Sequence, residues 1–124
     1  MSNILVVDDS PTMRRMVVAS LRNLGDVNFS EASSGLEAIE LLALSRFNLM
    51  VLDLNMPDMH GLEVVRFVRK HKIYSAIPII VLTTRGDEGS RSDTLAAGAS
   101  VYLTKPFLPE VLAAQVRELL NGKP

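Results

Sequence analysis

The sequence predicts an α/β fold: a doubly wound five-stranded parallel sheet with five flanking helices, residues 1–124 forming one domain. Three observations predict it. Short apolar runs recur at 4–7, 27–32, 49–52, 77–82 and 101–103. Segments with helical apolar spacing lie between them. The first, third and fourth runs are continuous rather than alternating, the pattern of strands covered on both faces. Strand–helix alternation of this kind implies right-handed crossovers, with helices on both sides of the sheet.

Each element has its own signals. The run at 4–7 (Ile-Leu-Val-Val) ends at Asp8 and Asp9. Ser10 and Pro11 then read as N-cap and first helical residue. Met13, Met16, Val17, Leu21 and Leu24 follow at helical spacing, and Gly25 can end the helix. The run at 27–32 alternates more and fits a position nearer an edge. Ser34 and Glu37 have capping-box spacing ahead of Ala38, Ile39, Leu41 and Leu42. After the third run, 61–72 carries Leu62, Val65 and Val68 on one face and closes in Arg69, Lys70 and Lys72, charges suited to a helix C-terminus. A weaker helix at 90–97 is closed by Gly98. Pro109 opens the last helix, with Leu112, Val116, Leu119 and Leu120 inward and Gly122 after it.

The bulk numbers narrow the function classes. A chain of 124 residues can bury a core without disulfides, and its 48% hydrophobic and 22% charged content is ordinary for a globular protein. A net charge of -1 gives no electrostatic footprint for nucleic acid or an anionic membrane. The absence of cysteine excludes thiolate metal sites and thiol catalysis and fits a reducing cytoplasm. The opening M-S-N-I-L-V-V-D-D lacks a basic region before its apolar stretch, and the other apolar runs are far too short for a membrane span.

Sites in open parallel sheets form beyond the carboxyl ends of the strands. The first strand is followed there by Asp8 and Asp9, the third by Asp53, the fourth by Thr83 and Thr84, and the fifth by Lys105 and Pro106. Taken singly, each reads as a turn, a cap or a solvated charge. Together they put three carboxylates on one rim, where each close pair repels by about 1–4 kcal/mol. A divalent cation accounts for that arrangement. Mg²⁺ suits hard oxygen ligands and prefers one or two carboxylates plus phosphate oxygens. The lysine and threonine then serve a phosphoryl group as cation and donor.

These residues resemble the CheY-like receiver domains of two-component signalling. The matching motifs are V-V-D-D-S, V-L-D-L-N-M-P, V-L-T-T and L-T-K-P-F in order, with G-A-S-V-Y before the last. The resemblance covers the whole chain and implies a flavodoxin-like strand order 2-1-3-4-5. It also implies that Asp53 is the phosphoacceptor and that Asp9 and Asp53 bind Mg²⁺ directly. Asp8 would act through water and Asn55 through its backbone carbonyl. Lys105 would pair with the phosphoryl oxygens, Thr83 would hydrogen-bond them, and Tyr102 would be the switch aromatic, turning inward as Thr83 moves. A cis Lys105–Pro106 bond is implied as well.

The same resemblance implies a histidine kinase as donor, a cytoplasmic setting, and a signalling role rather than turnover of an outside substrate. The downstream partner is a protein bound on the face at residues 87–119, where Asp87, Glu88 and Glu118 favour a partner with some positive charge and Gly86 and Gly89 ease loop movement. The chain would be a monomer, or a dimer once phosphorylated. A chemotaxis-type regulator is the leading reading and a phosphorelay intermediate the alternative. The segment 85–91, R-G-D-E-G-S-R, departs from flagellar chemotaxis members. A flavodoxin-like electron carrier would need a phosphate-binding loop where Asp8 and Asp9 stand, and an aspartate-nucleophile phosphatase would need D-x-D after the first strand. His60 and His71 read as turn and helix-end residues, Met13 and Met16 as core or helix surface, Gly35, Gly61 and Gly98 as helix-boundary glycines, and Lys70 and Lys72 as solvated charges.

Overall fold

The computed structural model describes residues 1–84 and 88–121, without the side chains of 88 and 89. Five strands are present: β1 (Ser2–Val7), β2 (Val27–Ala32), β3 (Leu49–Leu52), β4 (Ile79–Thr83) and β5 (Val101–Thr104). They form one all-parallel sheet in the order β2-β1-β3-β4-β5. The helices are α1 (Pro11–Leu21), α2 (Gly35–Leu44), α3 (Gly61–Lys70), α4 (Glu88–Ala97) and α5 (Pro109–Leu120). The expected topology is the one observed, and the more alternating second run is an edge strand.

Strand residues alternate between two apolar cores because successive side chains leave opposite faces of a sheet. Ile4, Val6, Leu49, Val51, Ile80 and Leu82 pack with Val17, Val18 and Leu21 of α1 and Leu112 and Val116 of α5. Leu5, Val7, Met50, Leu52, Ile79 and Val81 pack with residues of α2 and α3, and with Tyr102. Each fully buried Leu, Ile or Val stabilises by about 1.5–3 kcal/mol relative to exposure. The continuous apolar runs are therefore a consequence of helices covering both faces.

The helix starts follow their caps. The Ser10 hydroxyl accepts from Met13 N at 3.2 Å, and the Ser34 hydroxyl accepts from Glu37 N at 3.0 Å. Glu37 reaches back to Ser33 N at 2.8 Å, and its pKa is lowered, first by that backbone bond. Asp58 adds a second clamp, accepting from Gly35 N and Leu36 N.

Some boundaries differ from expectation. β4 starts at Ile79 rather than 77, because Pro78 cannot donate to a ladder and Ile77 N turns back to Tyr74 O. α3 stops at Lys70, where His71 N bonds Val68 O in a tighter turn. α1 meets the sheet through Val17, Val18 and Leu21, while Met16 lies on the helix surface, 48% exposed. α1 passes through a short 3₁₀ turn at Arg22–Leu24 before Gly25, whose φ of 72° ends it. α4 begins at Glu88, so Gly89 lies within a helix and not in the loop assigned to it; Arg85, Gly86 and Asp87 lie outside the described residues.

Candidate functional site

The sheet ladder runs one residue beyond several strands and fixes the site residues by their backbones. Asp8 N bonds Ala32 O at 3.1 Å, Asp53 N bonds Val7 O at 3.0 Å, and Lys105 N bonds Thr83 O at 2.7 Å. Each side chain is thus placed by hydrogen bonding to a neighbouring strand end rather than by loop conformation. Gly61 closes the floor. A Cβ there would lie 2.5 Å from Asp53 O and 2.8 Å from Leu54 Cα, so only glycine lets α3 start against the Asp53 backbone. The bond Gly61 N to Leu54 O, 2.8 Å, fixes the same contact.

The carboxylates of Asp8, Asp9 and Asp53 converge, with one oxygen from each within 4.8 Å of the others. Asp8 and Asp53 are buried and Asp9 is exposed. Lys105 Nζ stands 2.9 Å from Asp8 Oδ2 and 3.5 Å from Asp53 Oδ1. Asp8 also accepts from Ser10 N at 2.9 Å. Burial raises the pKa of Asp53 above the ordinary carboxylate range; the Lys105 ammonium opposes this, the Asp8 charge adds to it, and the Asn55 backbone N–H lowers it. Asp9, expected to contribute, is not among the causes; it is the exposed member of the three.

One lysine faces two buried carboxylates, with a third at their edge. The donor set is all oxygen, anionic, and under-compensated by the protein's own cation. That chemistry fits Mg²⁺, which takes hard oxygen ligands and leaves part of its shell to water and phosphate.

The remaining predicted residues fall around this centre. Thr83 is buried, and its Oγ1 accepts from Asn55 Nδ2 at 3.3 Å. Tyr102, expected to turn inward as Thr83 moves, is already buried on the α4 side while Thr83 is held by Asn55; its hydroxyl lies 3.2 Å from Ser90 Oγ, and the Arg91 guanidinium sits 5.8 Å above its ring. The Lys105–Pro106 bond is cis. His60 is the N-cap of α3, its Nδ1 accepting from Leu62 N, and His71 stacks on Tyr74 at 4.0 Å. Neither belongs to the carboxylate group found among the described residues.

Sequence reading missed three contributors. Arg14 donates to Asp8 O at 2.6 Å and pairs with Glu31 at 2.8 Å, bracing the acidic turn. Its signal was available, because a basic residue near a helix start opposes the dipole and asks for a specific partner. The side chain of Asn55 holds Thr83, although only its carbonyl had been singled out. Asp58 ties the segment after β3 to the start of α2.

A parallel sheet in this order, carrying three carboxylates, a lysine and a threonine at its carboxyl rim, defines an α/β domain with an anionic oxygen-donor site at the strand ends. The chain belongs to the response regulator receiver domain family, which matches residues 4–117. It is 42% identical over 119 residues to a chemotaxis protein CheY homolog of Campylobacter jejuni, covering 95% of this chain and 92% of the relative. Among solved structures it resembles the chemotaxis response regulator CheY4 of Vibrio cholerae, with a TM-score of 0.87, 36% identity, and 96% and 98% of the two chains covered. It also resembles the signal receiver domain of a signal transduction histidine kinase from Syntrophus aciditrophicus, with a TM-score of 0.90, 34% identity, and 98% and 92% covered. No helix of the described residues is long and apolar enough to cross a membrane.

Proposed function

We propose that this chain acts as a response regulator. It accepts a phosphoryl group on Asp53 from the phosphohistidine of a histidine kinase and signals by binding a second protein. The observation that carries this reading is the placement of Asp53: a buried carboxylate 3.5 Å from the Lys105 ammonium and grouped with Asp8 and Asp9.

In the proposed reaction an Asp53 oxygen forms the bond to phosphorus while the bond from phosphorus to the kinase imidazole nitrogen breaks. The imidazole leaves with that electron pair. Asp8, Asp9, Asp53 and the Asn55 carbonyl would hold Mg²⁺, which neutralises charge on the transferring group when bound. Lys105 pairs with the added oxygens, turning from Asp8 toward them. The product is an acyl phosphate, open to hydrolysis, and no other substrate is turned over.

Thr83 then donates its hydroxyl to the phosphoryl group, leaving Asn55, and α4 follows, with Ser90 3.2 Å from the already buried Tyr102 hydroxyl. This is a population shift between two arrangements, driven by the phosphoryl group's preference for one. The output surface is the face formed by α4, β5 and α5. The likeness to CheY proteins supports a cytoplasmic, chemotaxis-type role. The likeness to a receiver domain of a histidine kinase supports a second reading, a relay intermediate passing its phosphoryl group to a histidine phosphotransfer protein.

The test is incubation with Mg²⁺ and acetyl phosphate, followed by mass-spectrometric mapping. A single modification on Asp53, absent without Mg²⁺ and absent in Asp53→Asn, is expected. Equal labelling of Asp53→Asn would refute the assignment.

A further inference from the structure

At the end of the sheet opposite the carboxylates, the segments entering β3 and β4 leave a pocket of about 210 Å³. Leu42, Phe47, Ile73, Tyr74 and Ile77 form its apolar lining. The volume is below the range of about 300–1,000 Å³ usual for small-molecule sites and suits one large side chain. Ile73 of that lining is 80% exposed, and Leu44, next in sequence to the lining residue Ser45, is 79% exposed. Phe67, His71 and Tyr74 form a continuous aromatic shelf next to it, with ring centroids 6.1 Å and 4.0 Å apart along the series.

Charge distinguishes this apolar patch from ordinary surface. Arg46 lines the pocket itself, and Arg66, Lys70 and Lys72 flank the aromatic shelf in sequence. All four are exposed, and no carboxylate of the described residues lies within ion-pair distance of any of them. Residues 66–72 carry Arg66, Arg69, Lys70 and Lys72 and no carboxylate, with Glu63 one helical turn before them, so this stretch is locally basic on a chain of net charge -1. A pocket whose apolar side chains are joined in the lining by Ser45, Asn48 and the Arg46 cation selects by charge complementarity a partner of the opposite sign carrying one apolar anchor.

We infer that this end of the domain docks an acidic protein segment that inserts a single large apolar side chain between Phe47 and Ile73. A concave site favours an inserted side chain over a flat lipid surface. Because the pocket lies across the sheet from Asp53, docking there leaves the rim open to a kinase. The contact would therefore form with or without the phosphoryl group, as expected of a tethering surface that raises the local concentration of a partner. This inference is independent of the role proposed for Asp53.

The test uses isotope-labelled full chain and a set of glutamate-rich peptides with Leu, Met, Phe or Trp at the centre. Backbone amide shifts are followed with and without beryllofluoride, a phosphoryl mimic. Saturable shifts on Leu42, Phe47, Ile73, Tyr74 and Ile77, equal in both conditions, are expected for at least one peptide. Replacing its central residue by Ser, or Ile73→Ser in the protein, should weaken binding about tenfold. Arg46→Glu or Lys72→Glu should weaken it about three- to tenfold and flatten its salt dependence. No shift with any peptide overturns the inference, as do shifts confined to the α4–β5–α5 face. Sedimentation with phosphatidylserine-containing vesicles, lost in Arg46→Glu, without peptide shifts would assign the patch to an anionic lipid surface and overturn it equally.

Discussion

Lys105 Nζ lies 2.9 Å from Asp8 Oδ2, closer than its 3.5 Å approach to Asp53 Oδ1. The lysine therefore serves first as counter-ion to Asp8, and in the proposed reaction the phosphoryl group draws it across. Its removal leaves two buried carboxylates without a cation. Lys105→Met should destabilise the metal-free protein by about 3 kcal/mol. Added Mg²⁺ should recover more stability in this variant than in the parent, because the ion then meets an uncompensated site. Thermal unfolding with and without chelator measures both effects, and an equal Mg²⁺ gain in the two proteins would contradict this.

Asp53 itself carries a stability cost. Its pKa is raised in the folded state by burial first and by Asp8 among the further causes. In the window above its ordinary value the folded state thus binds more protons than the unfolded one, and stability falls as pH rises through it. In chelator at neutral pH, Asp53→Asn should be more stable than the parent by on the order of 1 kcal/mol, a shift of a few degrees. The advantage should shrink as pH falls through the raised pKa, where the parent carboxyl is already neutral. Melting curves across that range decide it. An advantage that grows on acidification would mean that Lys105 outweighs burial.

The rim was legible in the sequence because a parallel sheet leaves little freedom at its strand ends. Once four apolar runs ended in Asp8-Asp9, Asp53, Thr83 and Lys105, topology alone brought them together. Side-chain choice among neighbours was not legible. Spacing does not say that Lys105 favours Asp8 over Asp53, or that Asn55 turns its amide to Thr83, since both depend on rotamers set by local packing. Boundaries failed where two signals competed. At 77–78 apolar continuity argued for a strand while Pro78 forbade the ladder, and backbone hydrogen bonding won. On α1 the apolar spacing placed Met16 beside Val17 and left Val18 out, yet Val18 is buried and Met16 is 48% exposed.

Arg69 shows a further limit, because at a helix end it looks like a dipole complement. Its guanidinium instead donates to Gly98 O at 2.9 Å, Ser75 O at 3.0 Å and Ile77 O at 2.6 Å. These bonds tie α3 to the turn entering β4 and to the end of α4. Burial lowers its pKa. Arg69→Met keeps much of the packing and removes all three donors, which should cost about 2–3 kcal/mol. Amide hydrogen exchange should rise at 72–77 and at the end of α4 while β1 and β3 stay protected. A uniform rise throughout would show that the tie is not local.

The last prediction separates two glycines that sequence reading treats alike as helix-boundary residues. A Cβ on Gly61 would press on Asp53 O at 2.5 Å and Leu54 Cα at 2.8 Å, both backbone atoms that move only by shifting the Asp53–Leu54 segment. A Cβ on Gly25 meets nothing within 4 Å, and its only difficulty is a φ of +72°. Gly61→Ala should therefore lose about 1–3 kcal/mol and also react more slowly with acetyl phosphate, because relief of the clash displaces Asp53 from Lys105. Gly25→Ala should lose about 1–3 kcal/mol through backbone strain alone, because φ 72° with ψ 151° is a conformation essentially reserved to glycine, and should label at the parental rate. The labelling rate distinguishes these outcomes. Parental labelling in Gly61→Ala would mean that the segment after β3 accommodates the methyl group without moving the carboxylate, and the close approach of α3 would then have no part in setting the site.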